Sequence, residues 1–128
     1  MEQGKRILIV EDDQFLREFY QELLVAEGYN IDVAPDGEAA LQKIWEQEFD
    51  LILLDIMLPK KDGIEILHEI KIKPPKRANT TIVMLTNLGQ DAVIKECFNL
   101  GAEGYLIKSA LNPDQVLSEI KGYLQKAS

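Results

Sequence analysis

The residues able to do chemistry in this chain stand directly behind short apolar runs. ILIV is followed by Glu11, Asp12 and Asp13, LILL by Asp55, TIVML by Thr86 and YLI by Lys108. Carboxylates gathered in one cleft repel one another, which raises their pKa values and costs stability unless something positive compensates. Oxygen donors of this kind suit Mg²⁺, which takes one or two carboxylates, keeps several waters and accepts phosphate oxygens in its remaining positions. Lys108 supplies a second positive charge. With metal and lysine neutralising incoming oxygens, a carboxylate can act as a nucleophile and form an acyl phosphate. Asp55 is the best placed nucleophile of the set.

For these side chains to meet, the apolar runs must be neighbouring parallel strands, because a ligand site in a parallel α/β sheet lies beyond the carboxyl ends of its strands. Five runs fit: Arg6 to Val10, Asn30 to Ala34, Leu51 to Leu54, Thr81 to Leu85 and Gly104 to Ile107, each separated from the next by a helical pattern. ILIV, LILL and TIVML are apolar throughout rather than alternating, so those three strands are expected in the centre, covered on both faces. The first helix is expected over about Gln14 to Glu27, on a stripe of Phe15, Leu16, Phe19, Leu23 and Leu24, with Gly28 as its stop. Asp36 caps the second helix, which carries Leu41, Ile44 and Trp45 as packing residues. Asp62 with Glu65 three residues on makes a capping box for the third. The fourth runs from Asp91 to Leu100 and stops at Gly101. The fifth opens with Asn112 as cap and Pro113 at its first position, on a stripe of Val116, Ile120 and Leu124.

Composition narrows the function. A chain of 128 residues is long enough for one domain with its own core, and no repeat or linker divides 1–128. No apolar run approaches the roughly 20 residues that span a bilayer, and the run behind Lys5 and Arg6 is too short for a signal peptide, so a soluble, cytoplasmic protein is expected. A formal charge of −8 argues against a nucleic-acid surface. The densest basic stretch, Lys71, Lys73, Lys76 and Arg77 around Pro74 and Pro75, reads as a solvated loop. Cys97, the single cysteine, falls on the apolar side of a helix and reads as a small core residue, and His68 reads as a surface residue without a metal partner.

The motifs ILIVEDD, LILLDIMLPKKDG, Thr86 after the fourth run, and GAEGYLIK together resemble the receiver domains of bacterial response regulators, including the single-domain chemotaxis type, over nearly the whole chain. The resemblance implies a doubly wound, flavodoxin-like sheet of five parallel strands in order 2-1-3-4-5 with five helices, as in CheY-like domains. It implies Asp55 as phosphoacceptor and Mg²⁺ bound by Asp12, Asp55 and the backbone carbonyl of Met57, with Glu11 acting mainly through water. Thr86 is then the switch hydroxyl, Tyr105 the rotating aromatic and Lys108 the lysine that pairs with the phosphoryl group. Asp13 reads instead as the cap of the first helix. The implied partners are a histidine kinase or phosphotransfer protein, and an output partner or second receiver on the face made by the fourth helix, fifth strand and fifth helix. Side chains at Met57, Asn87 and Leu88 would flank the phosphoryl group and tune its lifetime. The chain makes three departures from the family pattern: Asn87 replaces a small residue, Ser109 replaces proline after the lysine, and Glu103 and Gly104 replace the paired aspartates of winged-helix regulators. Without proline, the bond between Lys108 and Ser109 is expected to be trans, since a cis bond there costs roughly 2.5 to 4 kcal/mol.

Other classes fit the residues less well. Phosphatases with an aspartate nucleophile place a second aspartate where Met57 stands, so an enzyme of many turnovers is not expected. A flavin carrier needs a phosphate loop behind the first strand, where Glu11, Asp12 and Asp13 would repel phosphate. A pseudo-receiver that only binds partners commonly lacks an acid or the lysine, and all are present here. A chain that stops at its last helix suits either a stand-alone regulator or a receiver cut from a longer protein.

Overall fold

A computed structural model of the chain describes residues 4–87, 89–108 and 112–127. The elements alternate: β1 (Arg6–Val10), α1 (Gln14–Ala26), β2 (Asn30–Ala34), α2 (Gly37–Glu46), β3 (Leu51–Asp55), α3 (Gly63–Ile72), β4 (Thr81–Thr86), α4 (Asp91–Asn99), β5 (Gly104–Ile107) and α5 (Pro113–Ala127). All five strands lie parallel in one sheet of order β2-β1-β3-β4-β5. The three continuously apolar runs are therefore the central strands, as their lack of alternation requires. β3 and β4 each extend one residue beyond expectation, carrying Asp55 and Thr86 into the sheet itself.

Because strand side chains alternate, each central strand feeds two cores. Leu8, Val10, Ile52, Leu54, Ile82 and Met84 pack under α2, α3 and α4. Ile7, Ile9, Leu51, Leu53, Val83 and Leu85 pack under α1 and α5, against Tyr20, Leu24, Val116, Ile120 and Leu124. Burying one such side chain stabilises the fold by about 1.5–3 kcal/mol, and truncating one with no room to relax, as in Leu53→Ala, costs about 2–5 kcal/mol.

Helix starts follow the capping residues. Asp13 accepts the Leu16 N–H at 3.0 Å, Asp36 the Ala39 N–H at 2.9 Å and Asn112 the Gln115 N–H at 2.9 Å. The capping box of α3 is complete, with Glu65 accepting the Asp62 N–H and Asp62 the Glu65 N–H. Gly28 ends α1 with φ +94°, a conformation that favours glycine. One expectation for α1 fails: Phe15 is 78% exposed, and Tyr20 is buried in its stead. Helical geometry allows either residue beside Leu16 and Leu24, and the helix turns its Tyr20 side to the sheet. Cys97 is buried and His68 exposed, as expected. Trp45, at the end of α2, donates its indole N–H to the Lys73 carbonyl at 2.9 Å, and the Lys73 ammonium lies 4.4 Å above its ring.

Candidate acidic site at the carboxyl ends of the strands

Parallel strands in this register deliver their last residues to one rim. Val10 of β1 pairs with Leu54 of β3, Asp55 with Leu85 of β4, and Thr86 with Ile107 of β5, so Glu11, Asp55, Thr86 and Lys108 emerge side by side. Glu11 and Asp55 are buried, and Asp12 is exposed. Oxygen atoms of Glu11, Asp12 and Asp55 all lie within 4.8 Å of one another, the one such grouping among the described residues.

The loops are tied down locally. Arg17, one turn into α1, donates to the Glu11 carbonyl at 2.8 Å and to the Asp12 carbonyl at 3.3 Å, which fixes the backbone that carries both acids. Glu11 accepts the Asp13 N–H at 3.1 Å, and Asp55 accepts the Met57 N–H at 3.2 Å. Behind β3 the Gly63 N–H bonds the Ile56 carbonyl at 2.8 Å, and a Cβ on Gly63 would sit 2.6 Å from the Asp55 carbonyl oxygen. Glycine there lets α3 start against the end of β3. Lys60 has φ 68°, and the Lys61 N–H bonds the Pro59 carbonyl at 2.8 Å, closing a strained three-residue turn beside the site.

Lys108 compensates the acids incompletely. Its Nζ lies 2.5 Å from Asp55 Oδ2 in a hydrogen-bonded ion pair and 2.8 Å from Glu11 Oε1. The second contact lacks hydrogen-bond alignment, so Glu11 Oε1 is buried with a charge nearby and no aligned donor. Burial pushes the Glu11 carboxyl up, and the opposing pull of Lys108 does not cancel it. Burial disfavours the Lys108 charge too, but its pairing with Asp55 and then with Glu11 prevails, and its pKa is raised. One ammonium shared between two buried carboxylates, with a third beside them, leaves an excess of negative charge that a divalent cation with oxygen ligands would neutralise. The residues present fit Mg²⁺ on that ground.

The remaining expected site residues stand around this cluster. The Thr86 hydroxyl is buried and donates to Gln90 Oε1 at 2.8 Å, with the Asn87 carbonyl at 3.2 Å. Tyr105 is 39% exposed and meets Phe98 of α4 edge-on, with ring centroids 6.2 Å apart. Met57 is 62% exposed, and Asn87 is exposed. Leu88 and the Lys108–Ser109 bond lie outside the described residues. Two residues had no signal in the sequence: Arg17 sits on α1 and Gln90 at the cap position just before α4, and only the folded chain shows them bonded to the acidic loop and to Thr86.

These features define a doubly wound α/β domain with a lysine-bridged acidic pocket at the carboxyl rim of its sheet. The response regulator receiver domain family matches residues 7–121, and the chain belongs to that family. Among curated relatives, the transcriptional regulatory protein ResD of Bacillus subtilis is 37% identical over 123 residues, covering 96% of this chain and 49% of that protein. CpxR of Escherichia coli is 37% identical over 95% of this chain and 50% of its own length. The chain thus spans about half the length of these transcriptional relatives. The chemotaxis protein CheY of Halobacterium salinarum is 36% identical over 86% of this chain and 89% of its own. Among solved structures, a CheY-like receiver domain from Methanospirillum hungatei superposes with TM-score 0.86 and 33% identity, covering 97% of this chain and 96% of its own. Receiver domains are signalling modules of two-component systems rather than turnover enzymes. No helix among the described residues is long and apolar enough to cross a membrane.

Proposed function

We propose that this chain is one phospho-accepting receiver unit that takes a phosphoryl group from a histidine kinase or phosphotransfer protein onto Asp55. The observation that carries the reading is the bridge of Lys108 between Asp55 and Glu11, with the Asp12 carboxylate beside it. In the reaction an Asp55 carboxylate oxygen attacks phosphorus in line. The new O–P bond forms as the P–N bond to the donor imidazole breaks, and the electron pair leaves on that nitrogen, which takes up a proton. Lys108 moves its charge from the free carboxylate to the phosphoryl oxygens, and Thr86 donates its hydroxyl to one of them. Asp12, Asp55 and the Met57 carbonyl would hold Mg²⁺, with Glu11 acting through water, and the ion would neutralise the transferred oxygens.

Movement of Thr86 draws the loop after β4 inward and gives Tyr105 room to turn in, so the face formed by α4, β5 and α5 changes between two states. That face is where an output partner or a second receiver docks, in the cytoplasm and without nucleic acid on this domain. The test is labelling by a small phosphodonor. Labelling should require Mg²⁺ and vanish in Asp55→Ala. Retained acid-stable, hydroxylamine-resistant label in that variant would sink the assignment.

A further inference from the structure

We propose that Gln90 is a positioning residue of the switch: it holds the Thr86 hydroxyl in the resting state and ties the head of α4 to the end of β4 until the phosphoryl group takes that hydroxyl away. This rests on the reading of Thr86 as the donor to the phosphoryl group.

A threonine hydroxyl has one proton to give. At Thr86 the nearer acceptor is Gln90 Oε1 at 2.8 Å, and the Asn87 carbonyl is more distant at 3.2 Å. Thr86 is buried, so no solvent stands ready to replace that partner. Gln90 occupies the cap position of α4 but makes no side-chain cap bond, unlike Asp13, Asp36 and Asp62 at the heads of α1, α2 and α3. Its amide is committed to Thr86 instead. The head of α4 is therefore held by a tether to the neighbouring strand and not by its own cap.

A phosphoryl oxygen on Asp55 is a charged acceptor and competes well against a neutral amide for the same proton. Once it wins, Gln90 loses its partner and α4 loses its tether. The far end of the same helix carries Phe98, which packs edge-on against the exposed ring of Tyr105. One helix thus joins the hydroxyl that senses the phosphoryl group to the aromatic that changes the docking face. A neutral hydrogen bond of ordinary strength would bias the resting equilibrium about two- to tenfold.

Gln90→Met keeps the length of the side chain and removes the acceptor, whereas Gln90→Glu supplies a stronger one. Amide NMR shifts of Thr86 and Tyr105 are recorded without donor and with beryllofluoride and Mg²⁺, which mimic the phosphoryl group. Without donor, Gln90→Met should move both resonances towards the activated positions, with the active fraction raised about two- to tenfold. Gln90→Glu should hold them at the resting positions and demand more beryllofluoride. On a Thr86→Ala background, Gln90→Met should have no further effect. If Gln90→Met leaves both resonances in place while beryllofluoride still moves them, the tether is wrong and the reading of Thr86 stands. An undiminished effect on the Thr86→Ala background also overturns the tether. If beryllofluoride fails to move Thr86 in the wild-type protein, the reading of Thr86 falls, and the tether with it.

Discussion

The two rims of the sheet handle charge in opposite ways. Where the strands begin, Asp50 accepts the Arg6 backbone N–H at 2.8 Å and is paired with the Arg77 guanidinium. The Arg6 guanidinium donates to Gln47 at 2.6 Å and lies 5.2 Å above the Phe49 ring. Each charge there has its own partner. Where the strands end, Glu11 and Asp55 share Lys108 with the Asp12 carboxylate beside them, and Glu11 Oε1 is left without an aligned donor. The first rim uses charge to hold strands together. The second keeps a shortage of positive charge, which costs the free fold stability and reserves room for a cation and a phosphoryl group.

The largest expected effect separates the rims outright. Asp55→Ala should lose all phosphoryl labelling, while Asp50→Ala should keep it and lose about 1–3 kcal/mol of stability, the scale of hydrogen bonds to a charged group. Urea melts and labelling on both variants check this, and the contrast breaks if Asp50→Ala also loses label.

Metal affinity gives the next effect. Asp12→Ala should lose most Mg²⁺ binding, and Glu11→Ala less, about 10- to 100-fold as for residues that act behind the direct ligands. Equal losses in a titration would refute the ranking.

Stability against pH sharpens the cost at the strand ends. Burial raises the Glu11 pKa above its ordinary 4.5, so its contribution is full below that value and is lost as pH rises through the folded-state pKa. Metal-free Glu11→Gln should therefore match wild type in acid and become the more stable of the two as pH rises to neutrality. Chemical melts at both pH values test the sign, and a neutral-pH loss of stability in the variant would contradict it.

Lifetime comes after these. Met57 and Leu88 cannot orient an attacking water by hydrogen bonding, and Asn87 adds bulk, so the phosphorylated state should decay slowly. Met57→Asn with Leu88→Glu should shorten it about tenfold, equivalent to 1.36 kcal/mol in the barrier. Decay no faster than wild type would remove these side chains from the explanation. The smallest effect is at Cys97, whose thiol burial pushes up to about 11. Alkylation in mildly alkaline buffer should be negligible until the chain is unfolded, and ready modification of the folded protein would contradict its burial.

What could be read from the sequence was whatever local pattern decides. Continuous apolar runs placed β1, β3 and β4 in the centre, and Asp36, Asp62 with Glu65, and Asn112 with Pro113 marked three helix starts. Strand order was not legible in that way: right-handed crossovers allow several orders, and 2-1-3-4-5 came from the family resemblance. Phe15 shows the limit of periodicity, since a helix with apolar residues at 15, 16, 19, 20, 23 and 24 can roll either way until the sheet selects a face. The gathering of acids was visible because each follows a strand. The bonds of Arg17 and Gln90 were not, because they join a helix to a loop or strand across a turn whose geometry the residue types leave open.

Trp45 has an optical consequence. It is the single tryptophan, and it sits at the end of α2, between the Lys73 carbonyl and ammonium and on the side of the molecule where strands begin. Its emission is set by a cation above the ring and a bonded indole N–H, both of which vanish when α2 and α3 separate. Tryptophan fluorescence will therefore follow loss of the fold and stay nearly silent to events at Asp55, which makes it a clean denaturation signal and a poor reporter of signalling.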